Sequence, residues 1–130
     1  MGEGMKFDGD KPRMELLDPG FLTGVAHVLT YGARKYAPNN WRGGIEASRL
    51  YGALQRHLNA FWAGEDIDAE SGLPHLYHAG CELMFLANMW ETRPDMDDRW
   101  RPEGANQCLY SKVSITRLPR TPIGRASRMR

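Results

Sequence analysis

Cysteine is scarce in this chain. Its 130 residues hold two, Cys81 and Cys108. That is too few for a disulfide framework, and Cys81 falls in an apolar helical pattern. Both are expected to be reduced thiols in a cytoplasmic compartment. Long apolar runs are missing as well, so no segment is expected to span a bilayer. The opening MGEGMKFDGDKPR lacks the apolar stretch of a secretory signal. An excess of one charge is also missing: 17 Lys and Arg face 16 Asp and Glu, for a net charge of +1. That balance implies neither nucleic acid nor a membrane surface as a partner. No internal repeat is present, and the length suits one domain with a modest core.

What is there is concentrated. Three of the four histidines, His57, His75 and His78, fall between Arg56 and Glu82, in RHLNAFWAGEDIDAESGLPHLYHAGCE. Glu65, Asp66, Asp68, Glu70 and Glu82 share that stretch. Hard divalent cations prefer oxygen ligands, and imidazole suits transition metals. The stretch therefore reads as helix, ligand-bearing loop, helix, with metal-assisted chemistry as the leading idea. The EF-hand pattern does not fit, since its glycine and terminal glutamate are misplaced, and neither does the HExxH pattern of zinc proteases.

Taken in order, residues 1–18 are polar and read as an arm. Asp18-Pro19 is a helix start, an N-cap acceptor followed by proline at the first position. Phe21, Leu22, Val25, Val28 and Leu29 then recur at helical spacing, up to an end near Lys35 or Tyr36. Lys35 either complements the helix dipole or faces a phosphate. Asn39 to Gly44 reads as a loop, whose Trp41 either packs down or stacks on a base with Asn40 beside it. A second helix is predicted from Ala47 to Ala63, with His57 in its apolar stripe and Gly64 as its stop. A third starts at Leu73 or Pro74, with Ser71 as candidate cap. It is apolar around most of its circumference, which predicts deep burial, partly by another copy of the chain. His75, His78 and Glu82 are the polar exceptions, and their spacing puts them on one side. Buried polar groups need partners, and the acidic loop and His57 are the candidates. Residues 109–118 contain a short alternation that suits one strand or an extended arm. The predicted organisation is an arm over 1–18, a helical core over 19–92, and an extended, mostly non-helical extension over 93–130.

KFDGDKPR, YGARKYAPNNW and the Arg56–Glu82 stretch together resemble the dATP/dGTP diphosphohydrolases, MazZ type, of the MazG-like all-α NTP pyrophosphohydrolase superfamily. The resemblance covers roughly residues 5–90 and leaves the tail out. It implies an all-α MazG-like helical bundle that forms a homo-oligomer, dimer or tetramer. It also implies cleavage of dATP and dGTP to the monophosphates and diphosphate with Mg²⁺ or Mn²⁺, more than one ion per site. Such phage enzymes are linked to genomes that replace adenine with 2-aminoadenine, which implies the host cytoplasm. Typical MazG members carry an ExxE pair on one helix and an ExxD pair on a later one. Here His75-Leu76-Tyr77-His78 takes the ExxD place and the second helix has no ExxE, so the loop carboxylates must compensate. Histidine ligands add Co²⁺ to the candidates and favour Mn²⁺ over Mg²⁺. On this resemblance Glu65, Asp68, Glu70, His75 and His78 are the expected metal ligands. Glu65, Asp68, Glu70 and His78 are also the expected catalytic groups. Lys11, Lys35 and Arg56 would hold phosphates, Asn40 and Trp41 the purine, and His57 is expected on the substrate side. Two alternatives stay open: a MazG-like pyrophosphatase of broad specificity, and a non-catalytic nucleotide-binding oligomer. Nucleic-acid binding through the basic tail is the weakest reading.

Overall fold

The computed structural model describes residue 2 and residues 4–103. Residues 1–99 form one compact unit, and 100–103 are the described start of a second. The expectations for residues 109–118 and for most of the tail lie outside the described residues. Among the described residues the fold is all-α, with helices α1 (Pro19–Lys35), α2 (Ala47–Trp62) and α3 (His75–Thr92). No helix among them is long and apolar enough to cross a membrane.

Local chemistry sets the start of α1. The Phe21 amide donates to Asp18 Oδ2 at 2.9 Å, and Pro19 occupies the first turn. Arg34 and Lys35 close its last turn. The end of α2 is equally local: Gly64 has φ 97°, a backbone shape that costs glycine little, and the Glu65 amide reaches back to the Ala60 carbonyl at 3.0 Å.

Three local expectations are corrected. Ser71 does not cap α3: Pro74 holds the cap position without a side-chain bond, and the Ser71 hydroxyl is engaged by Asp68 and His78. Asn40–Gly43 is a 3₁₀ turn, not an open loop, entered through Asn39 in the left-handed region at φ 60°. The arm carries a further 3₁₀ turn at Met14–Leu16.

Helix α3 is the central element and packs against both α2 and α1. Val25, Val28 and Cys81 form one buried group, and Ala47, Leu50 and Met89 another. Phe85 packs against both, so it joins the two halves of the core. Close approach of α1 to α3 depends on glycine: a Cβ at Gly24 would stand 2.5 Å from the Tyr77 ring. Beyond α3 the chain folds back. Arg93 donates to the Gly43 carbonyl at 3.0 Å and pairs with Asp95. Asp98 accepts from the Ser48 amide at 2.8 Å and from the Ser48 hydroxyl, which caps α2 from fifty residues away.

The third helix is less covered than its composition predicts. In the single chain Leu76 is 39% exposed and Leu83 56% exposed. Tyr51, Leu58 and Trp62 likewise leave an apolar stripe open along α2.

Candidate active site

The acidic loop is a closed structure. The Asp68 amide donates to the Leu73 carbonyl at 2.9 Å, the Gly72 amide to the Asp68 carbonyl at 2.8 Å, and the His75 amide to the Asp66 carbonyl at 2.9 Å. Gly72, at φ 71°, supplies the left-handed turn. This closure swings the Asp68 side chain against α3. Asp68 Oδ2 accepts from the Ser71 amide at 2.9 Å and from the Ser71 hydroxyl at 2.7 Å.

Ser71 Oγ also lies 2.6 Å from His78 Nε2. A hydroxyl has one hydrogen, and an ionised Asp68 can only accept. The hydroxyl hydrogen therefore goes to Asp68, and His78 Nε2 carries the hydrogen that it donates to Ser71. That leaves His78 Nδ1 as the bare nitrogen.

Three imidazoles gather here. His57 stacks on His78 with ring centres 4.5 Å apart and 8° between planes. His57 Nδ1 and His75 Nδ1 stand 2.9 Å apart, so one carries a hydrogen and the other accepts it. Among the described residues His75 Nε2 is buried without a hydrogen-bond partner. Glu65 Oε1 is 3.4 Å from it but out of line for a bond. Either tautomer of the pair leaves that nitrogen unsatisfied, which is costly for a buried polar atom. Ligand atoms of His57, Asp68 and His75 all lie within 4.8 Å of one another. Two imidazoles and a carboxylate suit a divalent transition metal.

The electrostatics favour the ligating forms. Burial lowers the pKa of His57, and the nearby His78 and His75 lower it further. Burial lowers His78 too, against the pull of Asp68. Both rings are thereby kept neutral near pH 7. For Asp68 burial acts upward, but the Ser71 hydroxyl and amide and the facing histidines outweigh it, and the carboxyl ends below its ordinary range. Burial and the neighbouring Glu82 charge push the Cys81 thiol up to about 12, so it is no nucleophile.

His57, Asp68 and His78 form one wall of a cleft of about 1490 Å³ between α1, α2 and α3, and His75 is not part of its lining. Lys35, Asn40, Trp41, Arg56, Asp68 and Glu70 line it with His57 and His78. The structure therefore brings together most of the residues singled out in the sequence. Glu70 is not among the histidines: it is ion-paired with Lys35 and accepts from the Tyr31 hydroxyl at 3.3 Å. The Lys35 hydrogen bond holds its carboxyl below the ordinary range. His57, expected on the substrate side, stands inside the metal-capable group. Lys11 lies exposed in the arm and is not part of the cleft lining. The Trp41 ring stacks on Phe85 at 4.7 Å, and the Arg42 guanidinium lies 4.3 Å from its centre.

Two participants escaped the sequence reading. Tyr31 precedes Lys35 by one turn, and that spacing was its only signal. Ser71 has the position of a cap before an apolar helix, which hides its bonds to Asp68 and His78.

The family described as dATP/dGTP diphosphohydrolase, N-terminal, matches residues 1–99. A dATP/dGTP diphosphohydrolase from Salmonella phage PMBT28 is 42% identical over 96 residues, 74% of this chain and 33% of that protein. The chain thus spans about a third of the length of this curated relative. No solved structure matches.

Proposed function

The chain belongs to the dATP/dGTP diphosphohydrolase N-terminal family, and from that premise we propose that it hydrolyses dATP and dGTP to the monophosphates and diphosphate. The observation that carries this reading is the close grouping of His57, Asp68 and His75, with an unsatisfied buried nitrogen on His75 and with His57 and Asp68 lining a cleft that also holds Lys35 and Arg56. Those three residues fit a divalent cation, with His78 and Glu65 next to them. A divalent cation bound there would offset phosphate charge and lower the pKa of a bound water. We assign Mn²⁺ or Mg²⁺ to it.

The chain's own residues then have distinct tasks. Ser71 holds Asp68 and fixes the tautomer of His78. Lys35 and Arg56 offset the negative charge of the triphosphate, Lys35 by exchanging its Glu70 partner for phosphate oxygens. Trp41 takes the purine in place of its Arg42 contact, its ring held by the Phe85 stack. The apolar stripes left open on α2 and α3 support a homo-oligomer. In an infected host cytoplasm this activity would deplete dATP and dGTP, which suits a phage that builds DNA with 2-aminoadenine.

The test is incubation of the chain with each deoxynucleoside triphosphate and Mn²⁺, with products resolved. Monophosphate and diphosphate from dATP and dGTP are expected. Release of orthophosphate and a nucleoside diphosphate would refute the reading. Sedimentation of the active protein should show more than one chain per particle, and an active monomer would refute the oligomer.

A further inference from the structure

The turn that carries Trp41 is held from outside the cleft. Arg93 follows the last residue of α3 and is not among the residues that line the cleft. Its Nη1 donates to the Gly43 carbonyl at 3.0 Å and to the Arg42 carbonyl at 3.4 Å. Its Nε and Nη2 donate to the two oxygens of Asp95, at 2.9 and 2.8 Å. Every nitrogen of the guanidinium is thus engaged, and the fork on Asp95 sets the direction of Nη1. The fit is close: a Cβ at Gly44 would stand 2.8 Å from Nη2 and 2.9 Å from Nη1.

Residues 93–98 are themselves anchored at three places. The Arg93 amide donates to the Met89 carbonyl at 2.8 Å, which ties it to α3. Met96 packs with Ala47, Leu50 and Met89. Asp98 accepts from the Ser48 amide at 2.8 Å, at the start of α2. The segment bridges the end of α3 to the start of α2, and Arg93 extends that bridge to the two residues after Trp41. Within the turn, the Arg42 amide bonds the Asn39 carbonyl at 3.0 Å and the Gly44 amide the Trp41 carbonyl at 3.3 Å. Such local bonds fix the shape of the turn. Its place against α3 is fixed by the Trp41–Phe85 stack and by Arg93.

We propose that Arg93, oriented by Asp95, is the positioning residue of the purine subsite: it holds the Trp41 turn in place, so that the ring is ready before a nucleotide arrives. This rests on the nucleotide-hydrolase reading above, in which Trp41 takes the purine. In that reading the Arg42 side chain leaves the Trp41 ring. Arg93 grips the Arg42 backbone, so the side chain moves while the ring stays. Without that grip the base would have to order the turn as it binds, and the lost freedom would weaken binding.

Two variants test this. Arg93→Lys keeps the charge and loses the planar fork. Asp95→Ala keeps Arg93 and frees its direction, and the Asp95 side chain is exposed, so the fold should be retained. Both should raise KM for dATP and dGTP, Arg93→Lys by about 10-fold, a partial loss of base stacking on an aromatic ring. Because uniform binding is what is lost, kcat should stay nearly unchanged. By calorimetry with Mn²⁺ present, dAMP should bind more weakly, while inorganic diphosphate, which has no base, should bind as before. In a Trp41→Ala background Arg93→Lys should add nothing, since a ring that is absent cannot be positioned. Normal KM in both variants would overturn the proposal. So would an equal weakening of diphosphate and dAMP, which would make Arg93 a charge or a support for the whole cleft, and so would full additivity with Trp41→Ala. Each of these outcomes leaves turnover by the unaltered chain, and with it the hydrolase reading, intact. An unaltered chain that neither turns over nor binds a purine nucleotide would remove both.

Discussion

Replacing Asp68 by asparagine isolates charge from shape at the centre of the cluster. Asp68 Oδ2 accepts from the Ser71 amide and hydroxyl, and an asparagine oxygen accepts both as well. The loop closure should survive. What disappears is the one negative charge in the group His57, Asp68 and His75. A ligand that binds only the folded chain stabilises it by RT ln(1 + [L]/Kd), or about 2.7 kcal/mol at a hundred times Kd. Loss of a group that merely orients a ligand weakens metal binding by about 10- to 100-fold, so loss of the anionic ligand itself should reach about 100-fold. The same metal concentration then gives only RT ln 2, about 0.4 kcal/mol. For a folded unit of this size, about 1 kcal/mol corresponds to roughly 4–8 °C. Mn²⁺ should therefore raise the melting temperature of the unaltered chain by about 10–20 °C, and that of Asp68→Asn by about 2–3 °C. Thermal unfolding with Mn²⁺, and with a chelator as the baseline, measures both. A full metal-induced rise in the variant would refute the assignment of Asp68. No rise in either protein would refute the metal site.

Stability should fall as pH drops below the ordinary histidine value of 6.5, because His57 and His78 have lowered pKa values in the fold and the unfolded chain takes up protons first. Asp68, also lowered, acts in the same direction at lower pH. Melting curves from pH 8 to pH 5 check this, and a flat profile would contradict the buried neutral histidines. Gly24→Ala should destabilise by up to about 2 kcal/mol: the new methyl overpacks the Tyr77 ring, at a cost of about 1–3 kcal/mol, and the gain in helix propensity, about 1 kcal/mol, offsets part of it. Denaturant unfolding with raised stability would show that α1 and α3 are not packed as closely as described.

Much of the fold was legible in the sequence because its signals are local. Asp18-Pro19 starts α1 and Gly64 ends α2 through the backbone groups of their immediate neighbours. Periodicity placed three helices, and the density of histidine and carboxylate marked the stretch from which His57, Asp68 and His75 come together. The fate of individual polar groups was not legible, because it depends on which side chain reaches them first. Ser71 has the sequence position of a cap, yet the closed loop brings Asp68 and His78 to its hydroxyl. Glu70 belongs to the same acidic run as Asp68, yet Lys35 and Tyr31 on α1 hold it away from the histidines. His57 joined the metal-capable group because α2 and α3 pack face to face and bring its Nδ1 to 2.9 Å from that of His75. The start of α2 has no side-chain cap of its own and takes one from Asp98, fifty residues on. Spacing along the chain determines what a helix is and where it stops. Only the packing of one helix against another determines whether a buried nitrogen or carboxylate finds a partner within the chain or is left for a ligand.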